Sequence, residues 1–267
     1  MTPQELKQSI LASEGRTVLS ENMVTAGPTA GDVTNSELAR AFGADLILLN
    51  VLDAFNPETN GLPASDEPIK LLKKMLGRPV GVKLEPVDPN ADMQEEGLKI
   101  TKVRQSNQAT LEKANELGFD FICLMGNPGT GVTNKEIGAA VKLAKETFHG
   151  LIIAGKMHGA GVNEPVANLT AIDEFIDNGA DIILVPVVGT VPGFTQAELI
   201  QAVKKIKAKG ALAMSAIGTS QESSPPSTIR DIALMNRIAG VDIQHTGDAG
   251  YGGIVPYENI LEISYER

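Results

Sequence analysis

The sequence has one cysteine, Cys123, three histidines, and no apolar run of membrane-spanning length. A single cysteine excludes an internal disulfide and suits a reducing cytoplasm, so a cytoplasmic location is expected. The three dispersed histidines and the lone cysteine give no zinc-ligand spacing. The N-terminus, MTPQELKQSI, is too polar for a signal peptide. Positive charge is also scarce: 23 Lys and Arg stand against 33 Asp and Glu, a net charge of −10. That balance excludes the basic footprint of a nucleic-acid or acidic-membrane surface. It leaves room for a small anionic metabolite held by backbone N–H groups. No G-x-G-x-x-G fingerprint follows the first strand and no G-x-S-x-G elbow occurs, which argues against a dinucleotide-binding sheet and an α/β-hydrolase.

What the chain does have is a repeat. Gly-x-Asp followed by apolar residues occurs at Gly43, Gly118, Gly179 and Gly240. The Gly suits the residue after a helix, where positive φ is common, and the apolar run suits a strand buried on both faces. A second class of strand begins at Gly15, Gly77, Gly150 and Gly210 and alternates with the first. Helical periodicity separates them over residues 36–42, 66–76, 105–117, 135–148, 164–178, 196–209 and 227–239. Thr34, Thr133 and Thr195 each stand three residues before a Glu, the pattern of a capping box. Alternating β and α elements require parallel strands. Eight such units in 267 residues predict a single-domain (β/α)8 TIM barrel over residues 1–267, with residues 3–13 as a short helix covering its bottom. An open doubly wound sheet is the rival.

Chemistry in a barrel sits where strands run into βα loops. The strand ends carry Glu21, Asn50 with Asp53, Lys83 with Glu85, Asn127, Lys156 with His158, Glu222 after strand 7, and finally His245 with Asp248. Strand period two puts Lys83 and Glu85 on one face, and Lys156 and His158 on one face. Charges converging from several strand ends point to a site, because buried charge is costly without a partner or purpose. Three Gly-rich loops are candidate anion cradles: Asn127–Asn134 with Asn127, Gly129 and Thr130, Gly218–Ser224 with Gly218, Thr219 and Ser220, and Gly247–Gly253 with Gly247, Asp248 and Gly250, next to His245. Asp248 opposes a phosphate unless a proton or metal intervenes. Glu21, Asp53 and Glu85 are oxygen donors suited to Mg²⁺. The stretch from Pro86 to about Val103 is the longest βα connection and is expected to lie over the strand ends as a mobile lid.

The motifs GDVTN, GNPGTGVTN, AGKMHGAG, GTVPGFT, ALAMSAIGTSQE and HTGDAGYGG together resemble a bacterial family of (β/α)8 barrels. Its members have been labelled phosphoenolpyruvate-phosphonomutase-like or haloacid-dehalogenase-like hydrolases. The resemblance spans nearly the whole chain and implies the barrel. The E-D-K-x-x-x-K loop of the first label and the D-x-D-x-[TV] motif of the second are absent, so neither supplies catalytic residues.

The residues themselves suggest a lyase or isomerase acting on a small phosphorylated or carboxylated carbonyl compound. Lys156 could form a Schiff base with His158 moving protons. Lys83 with Glu85 is the alternative lysine, or an anion-binding pair. In a Mg²⁺ version the carboxylates would hold the ion against an enolate. The competing reading is a small-molecule-binding barrel without turnover. The sequence is compatible with a homo-oligomer and does not fix one.

Overall fold

A computed structural model describes residues 1–94, 96–218, 221–249 and 252–266. The chain order is α1 (Pro3–Ala12), β1 (Thr17–Met23), α2 (Asn35–Ala41), β2 (Leu46–Asn50), α3 (Pro68–Leu76) and β3 (Val80–Leu84). It continues with α4 (Gln108–Leu117), β4 (Phe121–Leu124), α5 (Asn134–Thr147), β5 (Leu151–Gly155), α6 (Leu169–Asp177) and β6 (Ile182–Pro186). It ends with α7 (Gln196–Ala208), β7 (Leu212–Ile217), α8 (Pro226–Ala239), β8 (Ile243–Thr246) and α9 (Tyr257–Glu266). Each strand pairs in parallel with the next, and β8 pairs with β1, so the sheet closes as the TIM barrel expected from the repeat.

Two apolar layers follow from the strand period of two. Leu19, Leu48, Phe121, Ile153, Leu184 and Met214 fill the inside of the barrel, and Leu6 and Ile10 of α1 close its lower end. Ile47, Val82, Ile122, Ile152, Ile183 and their neighbours face the helices. Gly81 belongs to the inner set because a Cβ there would lie 2.2 Å from the Phe121 ring. The missing side chain on β3 is what lets β4 place a phenyl ring across the axis.

The Gly-x-Asp repeat has a structural meaning. Gly43, Gly118, Gly179 and Gly240 all have positive φ, as the chain turns from helix to strand. The Asp two residues later clips the start of the preceding strand. Asp45 accepts the Val18 N–H at 3.0 Å, and Asp120 accepts that of Val80 at 2.9 Å. Asp181 accepts that of Ile152 at 3.2 Å and Asp242 that of Ala213 at 2.9 Å. Each Asp also donates its own N–H to the carbonyl of the same residue. The four clips sit at the lower end and leave the upper ends of the strands to other chemistry.

The boxes at Thr34 and Thr195 form in full. At Thr133 the side chain caps the Glu136 N–H, but its hydroxyl donates to Asp88 in the long loop after β3. The helix expected over residues 164–178 begins only at Leu169. Asn168 caps the Thr170 and Ala171 N–H groups, and Glu164 is used elsewhere.

The loop between β3 and α4 lies where it was expected, over the strand ends. The Asp88 N–H donates to the Gly131 carbonyl, the Leu98 N–H to that of Gly129 and the Gln94 N–H to that of Gly161. Met93 packs against Gly131 and Gly161, where added Cβ atoms would lie 3.2 and 2.8 Å from its side chain. No helix among the described residues is long and apolar enough to cross a membrane.

Candidate active site

Polar residues replace the inner apolar layer at the upper end of the barrel. On β1, Leu19 is followed two residues later by Glu21; on β2, Leu46 and Leu48 by Asn50; on β3, Gly81 by Lys83 and then Glu85. On β8, Ile243 is followed by His245. All five side chains are buried.

Their hydrogen bonds make one network. The Lys83 ammonium donates to Glu21 Oε1 at 3.0 Å and to Asn127 Oδ1 at 2.9 Å. His245 Nε2 meets the other Glu21 oxygen at 3.0 Å. Asn50 Nδ2 donates to Asn127 Oδ1 at 3.0 Å and to Asp248 Oδ2 at 2.8 Å. Glu85 accepts from the Asn127 side chain at 2.8 Å, the Asn127 N–H at 2.7 Å and Arg104 Nη2 at 3.0 Å. Six of the residues expected at a site are thus joined: Glu21, Lys83, Glu85, Asn127, His245 and, through Asn50, Asp248.

The charges set one another. Burial pushes the Glu21 carboxyl up, but the Lys83 ammonium and the His245 hydrogen bond outweigh it and bring it down to about 2. Burial pulls the Lys83 amine down, while Glu21, Asp248 and Glu85 hold it above its ordinary value. Lys83 is therefore an ammonium at neutral pH. Burial raises Asp248 to about 6, with the Glu21 charge adding to the shift and Lys83 and Asn50 resisting it. Glu222, from the loop after β7, is raised to about 8 by burial, then Glu21 and Asp248. His158 is lowered to about 4 by burial and the Lys83 charge. Its Nδ1 accepts the Ala160 N–H at 3.0 Å, so the neutral ring carries its proton on Nε2.

Lys156 is held differently. It follows Ile152 and Ala154, which face the helices, while Met157 turns into the barrel. Lys156 donates to Glu164 Oε1, which also accepts the Asn134 N–H at 2.6 Å at the start of α5. Burial lowers the Lys156 amine and Glu164 resists the shift. Lys156 is close enough to His158 to affect its titration, but no hydrogen bond joins it to the Lys83 network among the described residues.

The Asn127–Asn134 cradle is already filled. The anion at the start of α5 is the chain's own Glu164, the Thr130 hydroxyl donates to the Asn127 carbonyl at 2.8 Å, and the Gly129 carbonyl accepts from Leu98. Gly218 packs against Met157 and Thr190. Gly247 makes room for Glu222, since a Cβ there would lie 1.8 Å from Glu222 Oε1. Thr219, Ser220 and Gly250 lie outside the described residues.

The Mg²⁺ set of Glu21, Asp53 and Glu85 does not assemble. Both oxygens of Glu21 and both of Glu85 are bound by N–H donors. Asp53 Oδ1 closes a turn on the Phe55 and Asn56 N–H groups. No group of three His, Cys, Asp or Glu among the described residues is arranged to hold a metal ion. The donors present do not fit the ion.

Comparison with known proteins gives the family and the fold. The chain matches the model described as "Domain of unknown function (DUF7916)" over residues 1–266 and belongs to that family. No curated protein matches it. An archaeal fructose 1,6-bisphosphate aldolase superposes with a TM-score of 0.59 at 15% identity, covering 97% of this chain and 96% of that one. A Burkholderia cenocepacia protein described as a lyase/mutase superposes with a TM-score of 0.52 at 16% identity, covering 91% and 82%. An oxaloacetate acetylhydrolase in complex with oxalate gives 0.53 at 14% identity, covering 92% and 80%. At these identities the likeness is one of fold.

Proposed function

We propose that this DUF7916 member is a lyase that breaks a carbon–carbon bond beside the carbonyl of a small anionic metabolite. The carrying observation is the buried Lys83–Glu21–His245 arrangement, extended by Asn50, Asn127 and Asp248. Such a cluster costs folding energy that apolar side chains would not, and it stands at the end of the barrel where this fold keeps its chemistry.

Cleavage next to a carbonyl leaves an electron pair that delocalises onto oxygen as an enolate. Lys83 suits that charge. It spends two N–H groups on Glu21 and Asn127, and an ammonium has three. Among the described residues the third meets no acceptor; it can meet a substrate oxygen, and strengthens as that oxygen becomes an enolate. Glu21 and His245 fix the ammonium in place, so little reorganisation accompanies the reaction. The neutral His158 adds an N–H donor at the same mouth.

Fructose 1,6-bisphosphate and oxaloacetate, named for two structural neighbours, are the first compounds to test, followed by other hydroxyketones and keto acids. Cleavage products measured by NMR support a lyase if wild type forms them and Lys83→Met does not. Isomerisation without cleavage would replace the lyase by an isomerase using the same enolate.

One observation favours a Schiff base as second reading: burial lowers the Lys156 amine. Borohydride reduction during turnover, followed by peptide mass spectrometry, decides it. An adduct on Lys156 establishes the covalent route, and its absence during active turnover leaves the enolate at Lys83.

A further inference from the structure

Glu222 enters the mouth from the loop after β7 and takes a position that belongs to β8. Side chains on β8 alternate, so the inward residues are Ile243, His245 and then Gly247. Gly247 has no side chain, and Glu222 Oε1 occupies its place, 1.8 Å from where a Cβ would stand. The carboxyl therefore takes the inward place that follows His245 along the chain. Two contacts hold it there. Its Oε2 accepts the Ala249 N–H at 3.1 Å. Its main-chain carbonyl accepts from Asn259 Nδ2 of α9 at 2.8 Å. A glycine on one strand, an amide from the next loop and an asparagine from the last helix all serve to bury one acid.

We propose that Glu222 is the general acid of this site and that Asp248 is its base. This deepens the lyase reading and rests on it. The groups that face Glu222 are Glu21 from β1, Asp248 after β8 and Lys83 from β3. Burial and the two carboxylates outweigh the Ala249 N–H and the Lys83 ammonium, so Glu222 keeps its proton at neutral pH, while Asp248, bonded to Asn50, loses its own first. Two carboxyl groups whose environments separate their titrations are suited to opposite roles.

Asp248 takes the proton of the hydroxyl on the carbon β to the carbonyl. The carbon–carbon bond breaks, the hydroxyl carbon becomes an aldehyde, and the electron pair passes to the carbonyl oxygen as an enolate facing Lys83. The Glu222 proton moves to the enolate carbon as the carbonyl re-forms. Asp248 ends protonated and Glu222 ionised, and one proton passing from Asp248 to Glu222 restores the starting state.

The test pairs two readouts on wild type and Glu222→Gln. Infrared difference spectra of ¹³C-glutamate-labelled protein, titrated between about pH 6 and about pH 10, read the proton directly. The expected result is a protonated carboxyl band that disappears as the pH passes 8 and is missing from the variant. Kinetics on a cleaved substrate read its use: kcat falls by about 10²-fold or more at unchanged KM, and the variant loses the alkaline limb of the pH profile. Absence of the band overturns the proposal whether or not the protein is a lyase. Wild-type kinetics in Glu222→Gln overturn it while leaving the lyase reading intact. A band with no cleavage of any carbonyl compound by wild type overturns both.

Discussion

Lys83 crosses the barrel mouth from β3 to reach Glu21 on β1, its Nζ 3.0 Å from Oε1, with both side chains buried. Neither charge tolerates the loss of the other. Lys83→Met leaves the Glu21 carboxylate without its ammonium and is expected to cost about 3–5 kcal/mol in urea unfolding. Glu21→Gln combined with Lys83→Met is expected to cost less than the sum of the single changes, because the pair is coupled.

The same pair sets acid stability. Glu21 lies at about 2 in the folded protein against an ordinary 4.5, so the folded state binds its proton less readily than the unfolded chain. Its contribution is fully present above pH 4.5 and is lost as the pH falls through about 2. Melting temperatures over that range should decline less steeply in Glu21→Gln than in wild type.

Glu222 works in the opposite direction. Its folded value of about 8 lies above the ordinary 4.5, so the folded state holds a proton that the unfolded chain has released. Stability therefore falls as the pH rises from 4.5 through 8. Glu222→Gln removes that slope, and relative to wild type it should be more stable at alkaline pH than at acidic pH. Equal slopes in thermal melts of the two proteins would show that Glu222 is not buried as an acid.

Val51, next to Asn50, has φ of +62°, a left-handed conformation that suits a β-branched residue poorly. Its N–H donates to Asn50 Oδ1 at 2.8 Å, which turns the Asn50 amide nitrogen toward Asn127 and Asp248. Asn visits this region more readily. Val51→Asn is expected to raise stability by about 0.5–1 kcal/mol in urea unfolding. A loss of stability would mean that the valine side chain's packing outweighs the strain.

The clips at the lower end are separable from the mouth. Asp242 is buried, accepts the Ala213 N–H and pairs with Lys207 Nζ at 2.9 Å. Asp242→Ala removes both contacts and is expected to cost about 1–3 kcal/mol in urea unfolding without altering kcat. A matching loss of kcat would tie the two ends of the barrel together.

The barrel was legible because its signals are local and repeated. Gly43, Gly118, Gly179 and Gly240 mark four helix-to-strand turns in one pattern, and the alternation of strand classes follows the chain. The Lys83–Glu85 face was legible from strand period alone. What strand period could not give is which partner a side chain meets. Lys156 and His158 share parity on paper, but Gly155 has φ of +149° and ends the strand, and Glu164 takes the lysine. Glu164 itself was hidden in an expected helix. Arg104 comes from a long loop with no periodicity, and its bond to Glu85 depends on how that loop folds back. Glu222 stands among polar loop residues, and only the empty place at Gly247 reveals where its carboxyl goes.

Proton exchange reads most directly whether Lys83 stabilises an enolate in this mouth. Pyruvate and dihydroxyacetone phosphate, incubated separately with the protein in D₂O, would be followed by NMR for deuterium entering the carbon beside the carbonyl. Wild type is expected to catalyse wash-in for at least one of them. A Lys83→Met protein whose circular dichroism remains that of the folded barrel is expected to lose that wash-in. Exchange at the wild-type rate in folded Lys83→Met would rule out an enolate held by Lys83.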